Sequence, residues 1–72
     1  MYNIGYATEY RQNDYHTVES EIQDITQDEF MAKAKEITKE YHPVRYIYLE
    51  NETDILVIYR NKKITVNKLW KE

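Results

Sequence analysis

Apolar residues recur at spacings of three and four between positions 25 and 43, and this period predicts an amphipathic helix. Thr26 is followed three positions later by Glu29, a capping-box pattern that marks the start of a helix. Pro43 disfavours helical geometry at the preceding residue, so we expect the helix to end near Tyr41. Its buried face should be a single stripe formed by Phe30, Ala34, Ile37 and Tyr41.

The segment before the helix predicts a β-hairpin. Residues 2–10 alternate between two kinds of side chain, with an aromatic set on one face, which is the period of a β-strand. The polar residues 11–14 predict a turn, and a second strand is expected from about Tyr15 to Ile22. The expected register pairs Thr8 with Thr17 and Ala7 with Val18.

Three alternating runs follow the helix and predict an antiparallel meander. They span residues 44–50, 55–60 and 63–70, with polar turns at 51–54 and 61–62. Pairing Glu50 with Ile55 assigns each residue to one of two faces. The first face then holds Val44, Tyr46, Tyr48, Ile55, Val57, Tyr59, Ile64, Val66 and Trp70, and the second holds Arg45, Ile47, Leu49, Leu56, Ile58, Arg60, Thr65 and Leu69.

The predicted fold class is therefore α+β, with a single helix packed on an antiparallel sheet in the order β-β-α-β-β-β. We expect residues 1–72 to form a single domain. Both faces of the meander carry apolar side chains, but one helix covers about one face. Either the N-terminal hairpin covers the other face, or a partly apolar surface that includes Ile47, Leu49 and Ile58 meets a partner.

Length and composition limit the classes of protein to which this chain can belong. A chain of 72 residues buries only about 60% of its unfolded surface, and without cysteine it forms no disulfide. A homodimer or a tight partner would add stability. The longest apolar run, residues 55–59, is too short to span a bilayer, and the N-terminus lacks signal-peptide segments. We expect a cytoplasmic protein without membrane association.

Charge is distributed unevenly along the chain. The net charge is −3, but residues 1–29 carry −6 and residues 60–72 carry +4. Helix capping explains Asp28 and Glu29, whereas it does not explain Glu19, Glu21 and Asp24. These three carboxylates are candidate partner-binding residues, because an acidic patch can occupy a basic groove built for nucleic acid. Solubility alone is the competing explanation.

Tyrosine is abundant, with eight residues in the chain. Tyrosine provides large, rigid contact area with a polar tip and is enriched at protein interfaces. The competing explanation is packing within strands, which favour aromatic side chains. The candidate partner-binding tyrosines are Tyr6, Tyr10, Tyr15 and Tyr48.

Residues that carry chemistry are scarce. His16 and His42 are the only histidines, Ser20 is the only serine, and no metal-binding spacing or glycine loop is present. We therefore predict a protein that is not an enzyme, with no catalytic, cofactor-binding or metal-binding residue.

Tyr, Ile, Asn and Lys are abundant and Gly, Ala, Arg and Pro are scarce, which by the genetic code indicates an AT-rich genome. A small, acidic, glycine-poor and tyrosine-rich chain of this kind is similar in character to accessory proteins of phages and mobile elements. Many of these block one host protein, as anti-CRISPR and anti-restriction inhibitors do. The leading hypothesis is a non-catalytic module that binds and inhibits a host nucleic-acid-handling protein, whose basic groove receives the acidic patch.

The alternative is a small nucleic-acid-binding regulator that uses the basic C-terminal hairpin. In it, Lys62, Lys63, Lys68 and Lys71 contact phosphates, and Tyr59 or Trp70 stacks on bases. The acidic chain and the absence of a nucleic-acid-binding motif disfavour this alternative.

Overall fold

The computed structural model of the protein describes residues 1–8, 16–41, 44–66 and 69–70. They form five strands and one helix in the predicted order β-β-α-β-β-β, which confirms the α+β class. The elements are β1 (Tyr2–Ala7), β2 (His16–Ile22), α1 (Gln27–Glu40), β3 (Tyr46–Glu50), β4 (Ile55–Arg60) and β5 (Lys63–Val66). Leu69 and Trp70, predicted to extend the last strand, lie in a turn instead.

The five strands form one antiparallel sheet in the order β2-β1-β3-β4-β5, with α1 packed against it. The meander β3-β4-β5 is confirmed. Because β1 pairs with β3 as well as with β2, the N-terminal hairpin lies beside the meander and widens the sheet. These two strands therefore do not fold over either face of the meander.

The helix begins and ends where the sequence predicts. The Thr26 side chain accepts a hydrogen bond of 3.1 Å from the Glu29 backbone N–H, and the Glu29 carboxylate accepts one of 2.8 Å from the Thr26 backbone N–H. The hydrogen bond from the Thr26 backbone lowers the pKa of Glu29, because it favours the charged carboxylate. The C-cap is Tyr41, whose backbone N–H donates to the carbonyl oxygen of Ile37 over 2.9 Å.

Three of the four residues in the predicted stripe are buried: Phe30, Ala34 and Ile37. The expectation for Tyr41 is wrong, because this residue is 36% exposed. Its backbone has left the helix, and its ring stacks on that of Tyr6 in β1 at 4.8 Å between centroids. The change in backbone geometry at the C-cap removes Tyr41 from the line of the stripe.

A register shift between β3 and β4 overturns the predicted faces of the sheet. Glu50 pairs with Ile55 as expected, but Leu49 then pairs with Val57, so β4 contains one extra residue. Directly paired residues of an antiparallel sheet share a face, and a shift of one residue exchanges the faces. Ile47 and Leu49 consequently share a face with Tyr59 and Val57. Tyr48 lies beside Ile58 rather than Val57.

This shift gives the helix a single apolar surface to cover. The core cluster joins the helix stripe to residues from three strands: Ile4, Ile25, Phe30, Ala34, Ile37, Ile47, Leu49, Leu56, Val57 and Tyr59. Ile47 and Leu49, considered above as an exposed apolar surface, are fully buried. Ile58, the third residue of that predicted surface, pairs with Tyr48 on the opposite face and is half-buried.

The predicted register of the N-terminal hairpin is also wrong. Thr17 pairs with Gly5, and His16 pairs with Tyr6. Two irregularities interrupt the β1–β2 pairing. Glu21 lies at the one between Glu19 and Ile22, where it adopts a positive φ of 59°. The extra residues restore Ile22 to the side of the sheet that packs on the core.

Both predicted turns of the meander are present. The Asn51 side-chain oxygen accepts hydrogen bonds from the backbone N–H groups of Thr53 and Asp54, at 2.9 and 2.8 Å. Asn61 and Lys62 form a two-residue turn with φ values of 54° and 65°. Two positive φ values are characteristic of a type I′ turn, whose twist matches that of the flanking strands. Within the described residues, no helix has the length and apolar character needed to cross a membrane.

Candidate functional site

Seven of the carboxylates that the structure describes gather at one end of the molecule, which we call the acidic end. Antiparallel pairing brings the end of β2, the β3–β4 turn and the start of β1 together, since Tyr2 pairs with Ile22 and Asn3 pairs with Glu50. The helix starts close to the end of β2. The residues of the acidic end are Glu21, Asp24, Asp28, Glu29, Glu50, Glu52 and Asp54.

Six of the seven basic residues that the structure describes gather at the opposite end, the basic end. Here the start of β3 meets the end of β1, with the Arg45 backbone N–H donating to the Ala7 carbonyl oxygen over 3.1 Å. The β4–β5 turn and the C-terminal half of α1 lie beside them. The residues of the basic end are Lys35, Lys39, Arg45, Arg60, Lys62 and Lys63.

Glu19 lies in β2, two residues before Glu21, and its side chain contacts the helix. Its side chain pairs with Lys33 of α1 at 2.7 Å, although both side chains remain exposed, at 44% and 41%. The hydrogen bond from Lys33 to Glu19 raises the pKa of Lys33, because the carboxylate favours the charged ammonium. Glu19 thus presents a partly compensated charge, in a small cleft that also contains Val18, Glu36 and Glu40.

Glu21 and Asp24 both belong to the acidic end and are exposed. The Asp24 carboxylate accepts a hydrogen bond of 2.9 Å from the Ile25 backbone N–H, just before the helix. Asp24 therefore has a local structural role that sequence reasoning missed. Of the three candidate carboxylates, Glu19 is the one that forms an ion pair with the helix.

The candidate tyrosines lie in different environments. Tyr6 is half-buried and is flanked by Tyr41 and by His16, whose ring centroid lies 5.2 Å away. Tyr48 is 0% exposed, so its side chain offers no surface to a partner in this conformation. Tyr10 and Tyr15 lie outside the described residues, as does His42.

Beside Tyr48, the sheet face opposite α1 carries a half-buried aromatic surface. The Tyr46 ring stacks parallel to the Tyr48 ring at 6.1 Å, and the Arg60 guanidinium lies 5.0 Å from the Tyr46 ring centroid. Gly5 and Ala7 lie directly opposite these tyrosines on β1. Arg60 therefore uses its charge partly in a cation–π contact.

A groove between α1 and the sheet was missed by sequence reasoning. It has a volume of about 680 Å³ and lies at the basic end. Its cations come from three separate segments, so counting charge along the chain does not reveal it. The spacing of four between Lys35 and Lys39 places both on one side of the helix and was the available signal.

The described residues contain no group of three or more His, Asp or Glu side chains arranged to hold a metal ion. No protein-family model, curated protein or solved structure matches this chain. Support for a function therefore comes from the charged ends and the groove.

Proposed function

We propose that this chain is a small non-catalytic module that binds and inhibits a host protein that handles nucleic acid. One observation carries the proposal. Among the described residues, seven of the ten carboxylates gather at one end of the fold, and six of the seven basic residues lie at the other. An anionic end of this kind is complementary to a basic surface built to hold phosphates.

The acidic end combines two kinds of carboxylate. Asp24, Asp28 and Glu29 lie around the start of the helix, where the helix dipole and the capping box favour negative charge. Glu21 and Glu52 are exposed and have no such local role. Glu21 and Glu52 are therefore the residues whose charge is best explained by binding. Like the small inhibitors that mimic nucleic acid, the protein would compete with phosphates for the partner's cations.

Paired charge reversals test this proposal. Glu21→Lys with Glu52→Lys changes the net charge by +4 at the acidic end. Glu36→Lys with Glu40→Lys makes the same change in the cleft beside β2 and serves as the matched control. Tagged protein should capture a nucleic-acid-binding protein from host lysate, identified by mass spectrometry and released by salt. The first variant should lose this capture, and the control should retain it.

An inhibition assay completes the test. The purified partner should lose binding to its nucleic acid when the wild-type protein is added, and should keep it with the Glu21→Lys, Glu52→Lys variant. Equal capture by both variants would show that the acidic end is not the interface. Capture of a partner that does not bind nucleic acid would refute the proposed class of target.

The nucleic-acid-binding alternative loses part of its basis. Tyr59, one residue proposed to stack on bases, is 3% exposed and belongs to the core. Trp70, the other, packs near Phe30 and donates its indole N–H to Ile25. Lys62 and Lys63 lie at the basic end, whereas Lys68 and Lys71 lie outside the described residues. We therefore place this alternative second.

A further inference from the structure

The groove at the basic end has an apolar floor and charged walls. Met31 of α1, Val44 before β3 and Tyr59 of β4 line it, and the surface they provide is mostly apolar. Lys35 and Lys39 extend from the helix on one side. Arg45 and Lys62 extend from the sheet on the other. None of the described residues that line the groove carries a carboxylate.

The four cations of the groove have no carboxylate partner within the described part of the chain, where the one ion pair joins Lys33 to Glu19. The two acidic residues on the same stretch of helix, Glu36 and Glu40, line the cleft on the other side of α1. The helix thus carries two of the four cations on the groove side and these two glutamates on the cleft side. The groove remains a positively charged channel over apolar side chains.

Lys62 supports a role for this charge. It occupies the second position of a type I′ turn with a φ of 65°, a conformation in which glycine avoids the steric cost of a side chain. Lysine at this position costs conformational energy, and it places an ammonium group at the wall of the groove. A favourable interaction between this ammonium group and a ligand would offset the conformational cost of lysine at this position.

The arrangement fits some anions better than others. Lys35 and Lys39 are neighbours one turn apart on the helix wall, and the other two cations come from the sheet side, so the positive charge is distributed over both walls of the groove. The aromatic floor residue Tyr59 is buried, and the Tyr46 ring already contacts Arg60, so neither offers an open face for stacking a base. Several carboxylates spaced along a chain would satisfy both walls.

We propose that the groove binds an acidic peptide segment of a protein, with one apolar side chain on the floor and carboxylates on both walls. Burial of the apolar side chain would provide affinity, and the four cations would fix the position of the segment. This site is separate from the acidic end, so the two proposals can fail independently.

A labelled peptide in which leucine is flanked on each side by Glu-Asp-Glu tests the site by fluorescence anisotropy at low salt. The wild-type protein should bind it, and affinity should fall as salt rises. Lys35→Gln with Lys39→Gln should weaken binding by about tenfold or more. Lys62→Gly should weaken it several-fold without unfolding the protein, because glycine suits the turn. Lys63→Gln, which removes a cation outside the groove, is the matched control and should bind normally.

Three results would overturn the proposal: no binding of the peptide at low salt, equal binding by the Lys35→Gln, Lys39→Gln variant, or equal binding of a peptide with glycine in place of leucine. A single-stranded oligonucleotide of equal charge that competes as well as the peptide would assign the groove to nucleic acid instead. The Glu21→Lys, Glu52→Lys variant should bind the peptide at least as tightly as wild type. Peptide binding by this variant therefore distinguishes the groove from the acidic end.

Discussion

The indole N–H of Trp70 donates a hydrogen bond of 3.1 Å to the backbone carbonyl oxygen of Ile25, 45 positions earlier in the chain. The indole ring also lies 6.0 Å from the ring of Phe30. Ile25 precedes the N-cap, and Phe30 is the fourth residue of the helix, the positions that form a hydrophobic staple. Trp70 thus packs against the start of α1 and its N-terminal flank.

Replacing Trp70 should separate packing from hydrogen bonding. Trp70→Phe keeps an aromatic ring but loses the N–H donor, and should lower the free energy of unfolding by about 1 kcal/mol. Trp70→Ala also removes the packing and should lower it by about 3 kcal/mol. Because Trp70 is the only tryptophan, unfolding in urea should be followed by circular dichroism. Equal losses for the two variants would mean that the ring does not contribute through packing.

The helix face is tested by comparing a core residue with a cap. Ile37 is 5% exposed, and Ile37→Ala should reduce the free energy of unfolding by about 2–5 kcal/mol through lost burial and a cavity. Thr26→Ala removes one hydrogen bond at the helix start and should cost about 0.5–2 kcal/mol. Chemical denaturation of both variants under the same conditions gives the comparison. A smaller loss for Ile37→Ala would contradict the packing of this stripe on the sheet.

The capping box should make stability depend on pH. The pKa of Glu29 in the folded protein lies below its ordinary value of 4.5, chiefly because the Thr26 backbone N–H donates to the carboxylate. A lowered pKa in the folded state stabilises the protein above the unfolded pKa, and this stabilisation disappears as pH falls through the folded pKa. Wild type should therefore lose more stability than Glu29→Gln between neutral pH and about pH 3. If wild type and Glu29→Gln differed in stability by the same amount at both pH values, the Glu29 carboxylate would not contribute in this way.

Lys62→Gly should stabilise the folded protein. Glycine populates positive φ without a steric penalty, and Asn-Gly is the preferred sequence of a type I′ turn. With Lys62 at a φ of 65°, we expect a gain of about 0.5–1 kcal/mol, measured as a rise in the midpoint of urea unfolding. Lys63→Gly is the comparison, since Lys63 is a strand residue paired with Arg60, and should destabilise. A loss of stability in Lys62→Gly would show that the lysine side chain supports the fold.

Local features of the sequence determined the secondary structure. The capping box depends on Thr26 and Glu29, three positions apart, and the β4–β5 turn depends on two adjacent residues, Asn61 and Lys62. Interactions between residues so close in the sequence depend only on the types of those residues. The order of elements and the α+β class were therefore predictable.

The faces of the sheet were not predictable, because a single extra residue in β4 moves Ile47 and Leu49 to the side of Val57 and Tyr59. Strand periodicity is two, so one bulge exchanges core and outer residues while the apolar pattern of each strand stays unchanged. Tyr48, a candidate contact residue by sequence, is moved by the same bulge to the face opposite α1 and is nevertheless fully buried there.

Only the tertiary structure determined which charged residues lie close together. The sequence separates an acidic N-terminal part from a basic C-terminal part, but the fold groups charges by the ends of strands. Glu52 of the β3–β4 turn joins Glu21 at the acidic end, and Lys39 of the helix joins Arg45 and Lys62 around the groove. The first grouping follows from the insertion of β1 between β2 and β3, and the second from the packing of α1 on the sheet, and no local pattern encodes either.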